Sequence, residues 1–128
     1  MSTELMRPGR EMDKMIAEIV FGAEVEVVNQ RHGWGVDLKS KDNSCNDPIM
    51  SDFGVEDYVL KNYSTDIKAA WNIVEKLGKN GTQWRFSNKV FANAYWWAYT
   101  EDATAQGDTL PHAICLTALK HIREQANG

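Results

Sequence analysis

Residues 63–78, YSTDIKAAWNIVEKLG, decide the fold because they carry the local signals of an amphipathic helix. Ser64 or Thr65 can cap the first turn, and Asp66 places a negative charge near the positive end of the helix dipole. Gly78 is placed to end the helix in the left-handed conformation. The apolar positions recur at the helical repeat and predict one buried stripe: Ile67, Ala70, Trp71, Val74 and Leu77.

The chain as a whole has 128 residues, which predicts one domain over residues 1–128 with enough buried surface to fold without metals or disulfides. Its formal net charge of -4 argues against a nucleic-acid-coating protein, since such proteins present a basic face. The sequence shows neither a secretory leader nor an apolar run of membrane-spanning length. We therefore expect an intracellular, soluble protein that binds neither nucleic acid nor membranes.

Two more helices are predicted on either side of this central one. Apolar residues recur at helical spacing over about residues 10–21, and Gly22 follows as a stop signal. The last helix begins at Thr109, a favourable N-cap, with Pro111 in the first turn, where its missing N–H has no cost.

Three segments are rich in β-prone residues and predict strands: residues 25–28, 83–86 and 89–100. Ser87 and Asn88 are interpreted as the hairpin turn between the last two strands.

The remaining segments are polar. Residues 29–63 are rich in Gly, Asp, Asn, Ser and Lys and predict a long irregular or inserted segment, and residues 101–108 predict a polar loop. The order of helices and strands predicts an α+β protein, a three-layer α-β-α sandwich with a small, mainly antiparallel sheet.

The predicted strand over residues 89–100 has two different faces. One face carries mainly small residues, which suggests that a helix lies close to it, and the other carries Phe91, Tyr95, Trp97 and Tyr99. One helix layer of so small a protein cannot readily cover that aromatic face, so we expect a homo-oligomer.

Catalytic and metal motifs are weak. The histidines are not spaced as metal-ligand pairs, there is no CxxC motif, and residues 33–35 lack the rest of a phosphate-binding loop, so we expect no metal and no cofactor. Cys115 is interpreted as a buried, inert residue. His112, three residues earlier on the same helix, is interpreted as a partly exposed first-turn residue, so we assign no catalytic residue.

A binding site for a small anion is the stronger possibility. Hydroxyl residues begin two helices, and such ends bind phosphate. Aromatic residues near two cations can stack on a nucleobase, although the same aromatics also suit a protein core or interface. The candidate ligand-binding residues are Trp34, Arg85, Lys89, Tyr95, Trp97, Thr109 and His112.

These helices carry a family resemblance. Residues 63–71, continued by residues 74–77, resemble the central motif of the phage ABA (alpha-beta-alpha) sandwich domain family of small bacteriophage and prophage proteins. Residues 110–120, LPHAICLTALK, are similar to its closing helix, with a Pro-x-Ala-Ile-Cys run, and residues 10–22 resemble its opening helix. The resemblance leaves out residues 29–63. It implies the sandwich fold and a place in the cytoplasm of a bacterial host, but no activity common to the family.

Three functions stay open at this point. The first is a non-catalytic accessory protein that binds a small anionic or nucleotide ligand or a host protein, for example an oligomer that sequesters a nucleotide signal of bacterial antiviral defence. The second is an enzyme acting on a nucleotide or phosphoester. The third is a structural or assembly protein of the virion.

Overall fold

The computed structural model describes residues 6–29, 36–89 and 95–127. Within these ranges the chain forms three helices and seven strands, which we number in chain order. The helices are α1 (Arg10–Ile19), α2 (Ile67–Lys79) and α3 (Leu110–Asn127). The strands are β1 (Val25–Asn29), β2 (Val36–Ser40), β3 (Asn46–Ser51), β4 (Gly54–Leu60), β5 (Arg85–Lys89), β6 (Tyr95–Tyr99) and β7 (Thr104–Gly107).

The central helix is confirmed, with two corrections at its ends. The N-cap is Asp66, whose carboxylate accepts the N–H of Lys68 at 3.1 Å, rather than Ser64 or Thr65. Gly78 lies inside α2, so the predicted left-handed end at that residue is wrong.

The apolar stripe of α2 is also only partly buried. Ala70 and Leu77 belong to the core, whereas Ile67 and Trp71 are nearly half exposed. Trp71 packs against Phe86 of β5, with ring centroids 5.7 Å apart. Its ring therefore covers the margin of the sheet instead of entering the core.

Helix α1 buries a charged residue, Asp13, beside its apolar residues. The carboxylate of Asp13 accepts two hydrogen bonds from Ser64, one from the hydroxyl at 2.7 Å and one from the N–H at 2.8 Å. Arg10 donates to the same carboxylate at 3.1 Å. This cluster ties α1 to the segment before α2, which explains why Ser64 is not available as a cap.

The predicted irregular segment over residues 29–63 contains β2, β3 and β4, so the prediction is wrong for its described part, while residues 30–35 lie outside the described ranges. The side chain of Asn46, in β3, accepts the N–H of Ser40, in β2, at 2.8 Å and donates to its carbonyl at 2.9 Å, which joins the β1–β2 sheet to the β3–β4 sheet. Because polar side chains have structural roles of this kind, the composition of the segment resembles that of a loop.

The C-terminal strands also differ from the prediction. β5 continues to Lys89, so Ser87 and Asn88 do not form the hairpin turn. Only the last part of the predicted strand over residues 89–100 is β6, since residues 90–94 lie outside the described ranges. The predicted polar loop at residues 101–108 contains β7.

The described strands form three antiparallel sheets, in the orders β1–β2, β3–β4 and β5–β6–β7. Helix α3 packs against β6 and β7 on one side and against α1 and α2 on others, so residues 111–119 are all buried. The predicted α+β sandwich of helices and small antiparallel sheets is confirmed, although the strands lie in separate sheets. In the described ranges, none of the helices is long and apolar enough to cross a membrane.

Strand β7 approaches α3 more closely than any side chain permits. A Cβ added at Gly107 would lie 2.5 Å from the backbone nitrogen of Ala113 and 3.0 Å from its Cα. Because both of these atoms belong to the helix backbone, the clash has no flexible side chain to relieve it. Glycine is therefore required at this position by the packing of the strand on the helix.

We predict that Gly107→Ala lowers the free energy of unfolding by about 1–3 kcal/mol, because the added methyl overpacks this contact. The matched control is Gly78→Ala, whose Cβ meets nothing within 4 Å. It should instead stabilise α2 by about 0.5–1 kcal/mol. Urea unfolding of both variants measures the difference, and equal effects would contradict the proposed contact.

We also predict that Asp13→Ala destabilises the protein by about 3 kcal/mol, since it leaves the buried N–H of Ser64 without its acceptor and removes a charged partner of Arg10. Glu11→Ala is the control, because Glu11 is an exposed carboxylate of the same helix. Chemical denaturation should show little change for Glu11→Ala. A loss for Asp13→Ala no larger than that of the control would show that the cluster is not stabilising.

Candidate ligand-binding groove

Three of the predicted site residues, Arg85, Tyr95 and Trp97, lie on one face of the β5–β6–β7 sheet. The register pairs Arg85 with Tyr99, and directly paired residues share a face, on which Tyr95 also lies by alternation along β6. Trp97 lies on the same face because side chains alternate along β6. The opposite face carries Ala98, which is fully buried in the core. The predicted division of β6 into a small and an aromatic face is confirmed for these residues.

The aromatic face forms a continuous row of contacts. The guanidinium carbon of Arg85 lies 5.9 Å from the centre of the Tyr99 ring, and the rings of Tyr99 and Trp97 are stacked with centroids 6.2 Å apart. Such a row places a cation beside flat π surfaces, which suits stacking by an aromatic, negatively charged group.

A groove of about 420 Å³ runs beside Trp97, between the free edge of β7 and helix α3. Its volume lies within the range of small-molecule sites. It exists because Gly107 holds the strand against the start of α3. The groove is lined by Trp97, Thr104, Ala105, Gln106, Gly107, Asp108, His112 and Lys120.

The free edge of β7 directs backbone groups towards this groove. The N–H of Thr100 donates to the carbonyl of Ala103 at 2.8 Å, which makes this a hydrogen-bonded pair of the hairpin. Since such pairs alternate in an antiparallel ladder, Thr104 and Gln106 point their N–H and C=O groups away from β6. Lys120 donates to the carbonyl of Thr104 at 3.3 Å, as this alternation requires.

Thr109 caps α3 as predicted, by accepting the N–H of His112 at 3.3 Å. Pro111 has no N–H, and the N–H of Ala113 donates to the carbonyl of Thr109 at 3.0 Å. At most the N–H of Leu110 is then left in the first turn for an anion. The structure thus gives Thr109 the role of a cap, and any anionic group in the groove depends on Lys120 for charge.

His112 is buried, with 8% of its surface exposed, so the prediction of a partly exposed residue is wrong. Its Nε2 lies 2.9 Å from the carbonyl of Met6, and this nitrogen must donate because the carbonyl can only accept. In the neutral ring Nδ1 is then an acceptor. It is buried beneath the groove and has no hydrogen-bond partner in the described ranges.

Arg85 and Tyr95 are not among the described residues that line the groove. Arg85 lines a separate hollow of about 370 Å³ with Phe86, Ser87 and Tyr99. Lys89 is paired with Tyr95 in the backbone register. Trp34 lies outside the described residues.

Two groove residues were missed from the sequence. Gln106 falls in the segment predicted as a polar loop, and Lys120 was not among the candidate ligand-binding residues. The alternation of Ala105 and Gly107 with polar neighbours is the signal of a short half-buried strand that could have located Gln106.

One cluster has the residue types of a metal site. Glu101, Asp102 and His121 bring donor atoms within 4.8 Å of one another. His121 is fully buried, however, with Nδ1 lying 2.8 Å from the hydroxyl of Thr100 and Nε2 lying 3.3 Å from that of Thr82. A metal would have to displace the Thr100 hydroxyl, so we interpret His121 as a core histidine with both nitrogens satisfied.

The fold resembles that of a phage protein of known structure. The chain is similar to a phage protein from Bacillus cereus ATCC 14579, known from a crystal structure, with a TM-score of 0.54 and 24% identity over 91% of this chain and 93% of that one. This likeness shows a shared fold. No curated protein matches the chain.

The phage ABA sandwich domain model matches residues 14–119. This match runs through residues 29–63, so the expectation that they lie outside the family resemblance is wrong. The chain belongs to the phage ABA sandwich domain family.

Proposed function

We propose that this phage-family protein is a non-catalytic binding protein that holds a small, anionic, aromatic ligand of the nucleotide class in the groove. In this role it sequesters a nucleotide signal of antiviral defence in the cytoplasm of the bacterial host. The observation that carries the proposal is the groove itself, which combines Trp97, the polar edge of β7 and Lys120 in one concavity.

Each wall of the groove offers a different kind of contact. Trp97 offers a ring for stacking on a base, and Gln106 offers both its backbone groups and its side-chain amide for hydrogen bonds. Lys120 offers positive charge for a phosphate, while Asp108 at the same groove disfavours a ligand of high negative charge. These contacts suit a ligand with one aromatic ring system and few phosphates.

Ligand binding without a chemical reaction is favoured because the reactive side chains near the groove are buried and cannot reach a ligand. Cys115 is fully buried, and burial, followed by the charge of Asp13, raises the pKa of its thiol, so it stays protonated. His112 directs Nε2 to the Met6 carbonyl and keeps Nδ1 away from solvent. Neither residue presents a nucleophile or a general base to the groove.

We predict that Trp97→Ala weakens binding of the ligand about tenfold or more, because one stacking surface is lost. Trp71→Ala is the control, since Trp71 is nearly half exposed on α2 and does not line the groove. Native mass spectrometry of protein purified from bacterial cells detects the bound mass, and titration calorimetry with nucleoside monophosphates measures the affinity.

Equal affinity of the two tryptophan variants would contradict the groove as the binding site. A ligand recovered chemically changed after long incubation would contradict sequestration and favour the enzyme hypothesis. Co-purification with phage particles, with no added mass on the protein, would favour the virion hypothesis.

A further inference from the structure

The tip of the β3–β4 hairpin exposes large apolar side chains. Phe53 is 100% exposed, and its neighbours Met50 and Val55 are 63% and 51% exposed. Met50 and Val55 are directly paired in the register, so they lie on one face of the hairpin. Three adjacent apolar side chains on a surface are costly in water and mark an interaction site.

The turn holds Phe53 in this exposed position. The hydroxyl of Ser51 accepts the N–H of Phe53 at 3.2 Å and donates to the carbonyl of Gly54 at 3.4 Å. Gly54 has a φ of 108°, a conformation that other residues rarely adopt. The tip is therefore a defined turn, and the Phe53 side chain is not buried against any other part of its own chain.

The hollow beside Arg85 has the complementary properties. It measures about 370 Å³ and is lined by Arg85, Phe86, Ser87 and Tyr99. Tyr99 provides its aromatic ring, because Phe86 is paired with Ala98 and directs its own ring to the opposite face of the sheet. Arg85 is exposed and stacks on Tyr99, so a cation stands beside an aromatic wall. At the hairpin tip, the residue next to Phe53 is Asp52, an exposed carboxylate.

We propose that Phe53 of one copy inserts into the hollow of a second copy, where Asp52 pairs with Arg85. A phenyl ring can pack against the Tyr99 ring and the Arg85 guanidinium that stacks on it, and the charges of Asp52 and Arg85 have opposite signs. Phe53 is fully exposed in the single chain, so it does not occupy the hollow of its own molecule. The opposite charges beside the tip and beside the hollow favour a second copy of this chain as the occupant.

The size of the contact determines how the copies assemble. One inserted tip buries a few hundred Å², well below the roughly 1,200 Å² of a stable interface. Each subunit must then give one tip and receive one, which closes either a two-fold dimer or a ring. Several such contacts in one closed assembly bind more tightly together than one contact does alone.

The first test is self-association measured by native mass spectrometry and light scattering at micromolar concentration. The wild-type chain should form a discrete oligomer, and Phe53→Ala should raise its dissociation constant about tenfold or more. Val27→Ala is the matched control, because Val27 is a 66% exposed apolar residue on β1. Folding is not at risk in Phe53→Ala, since the ring has no contacts within the chain.

The second test exchanges the charges. Asp52→Arg and Arg85→Asp should each weaken the oligomer, and the double variant should restore it because the pair is re-formed with opposite signs. A monomeric wild type, an unchanged oligomer in Phe53→Ala, or no restoration in the double variant would overturn the proposal. Phe53 lies outside the groove, so ligand binding by Phe53→Ala tests the proposed function separately.

Discussion

The structure depends on the contact between the backbones of Gly107 and Ala113. Because no side chain fits between them, β7 lies directly against the first turns of α3. That position brings Ala98 and Ala105 of the sheet onto the helix, where small residues allow the two layers to approach. It also leaves the outer edge of β7 facing α3 across an open groove, so the packing of the core creates the candidate site.

Helix α3 tolerates burial on every side because its polar residues have partners. Thr117 donates its hydroxyl proton to the carbonyl of Ala98 at 3.0 Å, and His121 is held between the hydroxyls of Thr82 and Thr100. Polar groups that are hydrogen-bonded in this way fix the orientation of the helix, whereas unpaired ones would oppose its burial. Nδ1 of His112 is the exception, and it lies beneath the groove.

The helices were predictable because their signals are local. Thr109 caps α3 from one residue before it, and the apolar repeat of α2 needs no information from elsewhere in the chain. The strands β2, β3 and β4 were missed because polar side chains such as that of Asn46 join the two sheets, which gives the segment the composition of a loop. Strand β7 was missed because it is four residues long.

The aromatic face was predictable from the sequence for the same local reason. Side chains alternate between the two faces along β6, so Trp97 and Ala98 lie on opposite faces of the sheet independently of the rest of the fold. The groove was not predictable, because Lys120 and Gln106 meet only through the packing of β7 on α3. Arg85 and Trp97 were grouped as one site, but they line two different concavities.

The hydrogen bonds between Asp13 and Ser64 join positions 51 residues apart in the sequence. These bonds hold the two ends of the segment that contains β1 to β4 next to each other. Both ends therefore join the helices at one fixed place. Lengthening a closed segment twofold costs only about 0.6 kcal/mol in chain entropy. The exposed tip of the segment can therefore change in length at little cost in chain entropy, whereas Cys45, Leu60 and Tyr63 belong to the core and fix the base of the segment to it.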